Sequence, residues 1–64
     1  MSDITAIITA VRRQAPGADL KTDGGMFWVV DGRGEKIGLR RSTTNRAWIA
    51  AYEFLKGRAL EVQP

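Results

Sequence analysis

Met26-Phe27-Trp28-Val29-Val30-Asp31-Gly32-Arg33-Gly34-Glu35-Lys36-Ile37-Gly38-Leu39-Arg40-Arg41 is the stretch that decides the fold. Aromatic and β-branched residues crowd its first part, which is strand composition. Residues 26–31 therefore read as a strand and residues 36–41 as its returning partner. Between them, Gly32-Arg33 reads as a two-residue type II′ loop, with glycine first because that position needs positive φ. Such a loop sets a register in which Val30 would face Glu35, Trp28 would face Ile37 and Met26 would face Leu39. Apolar residues of both strands then gather on one side, so Met26, Trp28, Val30, Ile37 and Leu39 are expected to form the core face. The opposite face would carry Phe27, Val29 and Asp31 beside Lys36, Gly38 and Arg40, which is neither cleanly polar nor cleanly apolar.

Upstream, Asp23-Gly24-Gly25 reads as a turn, because glycine reaches positive φ without a Cβ clash. Residues 18–22 before it form a short strand. Ile4, Ile7, Ile8, Val11 and Ala15 recur at helical spacing, predicting a helix over residues 3–15 with one apolar stripe. Ser2 or Asp3 would cap it, Arg12 and Arg13 suit its last turn, and Pro16-Gly17 would end it. Downstream, Ser42-Thr43-Thr44 offers side-chain oxygens for a second N-cap. The following helix is expected to reach Lys56, with Gly57 as the C′ residue. Its inner side would hold Ala47, Trp48, Ala51, Phe54 and Leu55, with Tyr52 on the flank. Ala59-Leu60-Glu61-Val62 alternates and reads as an optional short final strand or as a frayed helical end.

The resulting order is α-β-β-β-α. Two helices on one face of a small antiparallel three-stranded sheet bury these stripes most economically, an α+β fold. The 64 residues suffice for a single domain, 1–64, with no internal boundary. A chain of this size buries only about 60% of the surface its unfolded form exposes, so stability is expected to be marginal. Without cysteine or histidine there is no disulfide, no thiolate metal site and no imidazole acid/base. No cofactor is expected, and homodimerisation remains the outside aid to stability. No apolar run approaches the ~18 residues that span a bilayer, and the N-terminus lacks the basic segment of a signal peptide. A cytoplasmic protein without membrane attachment is the expectation.

From Asp23 to Val62 the pattern resembles small bacterial and phage β-β-α-β domains of unknown function. The residues that carry this are Asp23-Gly24-Gly25, Phe27-Trp28, Arg41-Ser42-Thr43-Thr44, Ala47 to Tyr52, and Leu60-Glu61-Val62. The strand-hairpin-helix order is also similar to the AP2 and integrase-arm type of DNA-binding sheet. That likeness implies a sheet whose exposed face meets nucleic acid, and it carries over no individual residue.

Charge points the same way. Residues 33–46 hold five bases, Arg33, Lys36, Arg40, Arg41 and Arg46, against one acid, Glu35. That stretch is net +4 in a chain of net +3, so the remainder is slightly acidic. A local basic patch is evidence for an anionic partner. The expected binding residues are Phe27, Val29, Arg33, Lys36, Arg40, Arg41 and Arg46. An aromatic between cations can stack on bases while the cations hold phosphate. The expected function is a small basic, non-enzymatic module that binds nucleic acid through the open sheet face. The alternative is a protein-binding accessory or inhibitor of phage or mobile-element type, docking on a host protein or dimerising through that face. Ser42, Thr43 and Thr44 are read as caps, not nucleophiles, and Asp31-Gly32-Arg33-Gly34-Glu35 as a turn, not a metal loop.

Overall fold

The isoleucine stripe near the N-terminus folds as expected, into helix α1 (Ile4–Gln14). Strands β1 (Asp19–Asp23), β2 (Met26–Val30) and β3 (Lys36–Arg41) follow, and helix α2 (Thr44–Val62) completes the chain. The computed structural model describes residues 4–62, with side chains described through residue 57. The Ser2/Asp3 cap lies outside the described residues. The sheet is antiparallel in the order β1-β2-β3, so β2 is central. Both helices contribute to one cluster over one face, an α+β arrangement. Val11 from α1 and Ala15 just after it meet Val29, Ile37, Ala47, Trp48 and Ala51, flanked by Ile7, Ile8, Leu20, Phe27 and Leu55. At the backbone level α2 lies across β3 and β2, and α1 leans on α2. The Arg12 guanidinium sits 5.5 Å from the centroid of the Trp48 ring, tying the helices together.

The first hairpin has a two-residue turn at Gly24 and Gly25, with φ of 57° and 79°. Positive φ at both positions makes it type I′, the turn whose twist matches the strands. It places Asp19, Lys21 and Asp23 opposite Val30, Trp28 and Met26, and Leu20 and Thr22 opposite Val29 and Phe27. The Thr22 hydroxyl donates to the Met26 carbonyl at 3.0 Å.

The second hairpin departs from the expected turn. Asp31 N–H donates to the Glu35 carbonyl and Gly34 N–H to the Asp31 carbonyl, both at 2.9 Å. The residue at positive φ is Gly34, at 86°. This is a three-residue loop, a type I turn followed by a glycine bulge. Its extra residue shifts the register by one, so that Val30 pairs with Lys36 and Val29 with Ile37. A slip of one residue moves every side chain to the other face. Val29 is therefore fully buried and Phe27 packs against the core, whereas Met26 is 37% exposed. On β2 the expected core and open faces are thus exchanged, whereas on β3 Ile37 keeps its expected place in the core. Gly32 is glycine for a different reason: a Cβ there would lie 2.9 Å from the Pro16 carbonyl oxygen.

Beyond Ile37 the pairing breaks. Phe27 pairs with Arg41, so Trp28 alone on β2 faces Gly38, Leu39 and Arg40 on β3. Gly38 has φ of 85°. Its absent Cβ lets α2 approach, since one would lie 2.8 Å from backbone atoms of Ala50 and Ala51. The bulge throws Leu39 outward and leaves Arg40 on Trp28's side.

Helix α2 is capped by Thr43, whose Oγ1 accepts from Arg46 N–H at 3.2 Å. It passes through Gly57 to Val62, so Gly57 is not a C′ residue and residues 59–62 form no strand. Glycine in a helix costs only about 1 kcal/mol, and Arg58, Ala59, Leu60 and Glu61 are good helix formers. Ala50 is buried against Gly38, and Phe54, expected inside, is 43% exposed.

Candidate functional site

The sheet face away from the helices is built by alternation. From β1 it receives Asp19, Lys21 and Asp23, from β2 Met26, Trp28 and Val30, and from β3 Lys36 and Arg40. Trp28 is central. Lys21 is its partner on β1, and on β3 the Arg40 guanidinium lies over the indole, 4.8 Å from the ring centroid. Trp28 is half-buried, while Lys21, Lys36 and Arg40 are exposed. The aromatic of this face is therefore Trp28, not Phe27. Val29 and Phe27 are withdrawn as contact residues because they belong to the helix-covered side.

The remaining expected residues divide into three places. Lys36 and Arg40 stand on the open face. Arg41 pairs with Phe27, on the helix side of β3, and shares a shallow concavity with Arg46, Ile49, Ala50 and Glu53. Arg33 sits at the hairpin tip, 3.7 Å from both the Asp31 and the Glu35 carboxylates. With its side chain 78% exposed, these pairs contribute little to stability, yet they leave the tip slightly acidic. Among the described residues, Lys21, Lys36, Arg40, Arg41 and Arg46 form no ion pair. Sequence reasoning missed Lys21 and Trp28. The Gly24-Gly25 turn held the signal, because a two-residue hairpin loop fixes Lys21 opposite Trp28.

Asp31 has a local task. Its Oδ1 accepts from Arg33 N–H and Glu35 N–H, each at 2.9 Å. The Glu35 N–H, followed by the Arg33 N–H and guanidinium, holds its carboxyl below the ordinary range. A carboxylate kept ionised this way braces a turn and is unsuited to general acid/base work at neutral pH. Among the described residues no three potential ligands converge on a metal position. No helix there is long and apolar enough to cross a membrane.

What the open face can do follows from magnitudes. An exposed cation–π contact such as Arg40 on Trp28 is worth about 0.5–1 kcal/mol. A nucleobase stacked on an aromatic is worth about 1–3 kcal/mol. A base can therefore displace the guanidinium from the indole and free Arg40 for a phosphate. On the other side of β3, Leu39 and Phe54 line a groove of about 440 Å³ with Lys36, Gly38, Arg41, Ala50 and Glu53. No protein-family model, curated protein or solved structure matches the chain.

Proposed function

We propose that the protein is a small non-enzymatic module that binds nucleic acid through the open sheet face. The observation that carries this reading is the Arg40-capped Trp28 at the centre of that face, flanked by Lys21 on β1. Indole and cations together match a base and its phosphates. Lys36 and Arg40 add phosphate contacts along β3, and Arg41 and Arg46, on the helix side, extend the positive charge past the edge of the sheet. Phosphate contacts dominate such affinity, and three or four of them give a slope of log K on log salt of roughly −2 to −3. The test is a titration of fluorescently labelled oligonucleotides at two salt concentrations with wild type and Lys36→Ala/Arg40→Ala. The double variant is expected to lose most of the affinity and to flatten the salt slope. Unchanged binding would overturn the reading.

A second reading has its own observation: Leu39 at 64% and Phe54 at 43% exposure line one groove between β3 and α2. Exposed apolar side chains beside cations suit a protein interface, where aromatics and arginine are enriched. On this reading Leu39→Asp/Phe54→Asp abolishes self-association or complex formation and leaves oligonucleotide binding intact.

A further inference from the structure

We infer that the open face takes a single strand rather than a duplex, its phosphates along β3 and an unpaired base on Trp28. This rests on the nucleic-acid reading and adds the form of the ligand. Charge on the face is divided by strand. The β3 side offers Lys36 and Arg40, with Arg41 at the same end, and no acid. The β1 edge carries Asp19 and Asp23, both exposed, on either side of Lys21.

Three strands at about 4.8 Å spacing make a face roughly 10 Å wide. The major groove of B-form DNA is about 12 Å wide, with a phosphate row along each rim. Seated there, the sheet would set the β3 cations against one row and the β1 aspartates against the other. With two aspartates against Lys21, the contact at the β1 rim would be repulsive on balance. A single strand presents one phosphate row and can run on the basic side alone. The indole adds a second reason. Trp28 lies in the middle of the face, half-buried, with the Arg40 guanidinium 4.8 Å from its ring centroid. A base can stack there only if its own face is free, and in a duplex it is not.

The experiment uses wild-type protein with a labelled 12-nucleotide oligothymidine and with a 12-base-pair duplex at 50 mM salt, read by anisotropy and by tryptophan emission. We expect at least tenfold tighter binding of the single strand, with quenching that is lost in Trp28→Phe, where Trp48 is the sole indole. Raising the salt to 200 mM should weaken the single-strand complex roughly 20- to 50-fold, for three or four phosphate contacts. In Asp19→Lys/Asp23→Lys the duplex should gain at least tenfold, because the repelling rim is reversed. Duplex binding equal to or tighter than single-strand binding overturns the inference and leaves the nucleic-acid reading standing. Tight single-strand binding without Trp28 quenching overturns the stacking. Binding of neither at 50 mM overturns both.

Discussion

Gly57 and Gly38 show how differently one residue type can act. Gly57 lies within α2, and a Cβ there meets nothing within 4 Å. Gly57→Ala is therefore expected to stabilise the protein by about 0.5–1 kcal/mol, through helix propensity and a less mobile unfolded chain. Urea denaturation checks this, and destabilisation would show that the helix ends at Gly57. Gly38 is the opposite case. Its φ of 85° and the 2.8 Å approach of Ala50 and Ala51 leave no room for a methyl group. Left-handed backbone costs roughly 1–2 kcal/mol and overpacking about 1–3, a sum near the whole stability of a marginal domain. Gly38→Ala should lose the cooperative thermal transition, followed by circular dichroism. Neither role is written in the local sequence. Gly57 resembles a C-cap because glycine usually ends helices, and Gly38 answers to a helix that arrives later in the chain. Gly32 misled for the same reason, since it accommodates Pro16 and not the turn.

At the level of elements, sequence periodicity was a reliable guide and registry was not. The isoleucine stripe located α1, the aromatic run located β2, and β3 spans the expected residues. The three threonine and serine residues announced the cap of α2, which is Thr43. The face that β2 turns to the helices hung on which of Gly32 and Gly34 takes positive φ, and one residue there brought Val29 and Phe27 inside in place of Trp28 and Met26, with Ile37 in the core either way. Paired substitutions test the exchange. Val29→Lys should unfold the protein, because Val29 is fully buried, and Leu39→Lys should change stability by less than about 0.5 kcal/mol. The reverse outcome would restore the two-residue loop. Asp31 supplies a second check on the same turn. Its carboxylate has a depressed pKa in the folded state, so its contribution is present above the unfolded value near ~3.9 and fades as pH falls through the folded one. Asp31→Asn should therefore lower the thermal midpoint at pH 6–7, and the difference from wild type should shrink below about pH 4. A difference that persists undiminished in acid would deny the charged form its role.

The whole molecule is thin, 39 × 30 × 17 Å, with a helix layer on one side of the sheet and, among the described residues, no helix on the other, where Val30 is nonetheless buried. Composition made the α+β class and the basic bias legible, and the cluster of bases from Arg33 to Arg46 pointed to an anionic partner. What the sequence did not disclose is how the fold distributes those bases. Arg33 is held by two acids, Arg41 and Arg46 turn to the helix side, and Lys36 and Arg40 join Lys21 and Trp28 on the open face. The central claim is that this open face, built around Trp28 and Arg40, is the binding surface. Its most direct test is a map of backbone amide shifts in isotope-labelled protein as single-stranded oligonucleotide is added. The largest changes are expected at Lys21, Trp28, Lys36 and Arg40, with the Trp28 indole N–H among them. Changes concentrated at Leu39, Phe54 and the outer side of α2, or no saturable change at low salt, would contradict it.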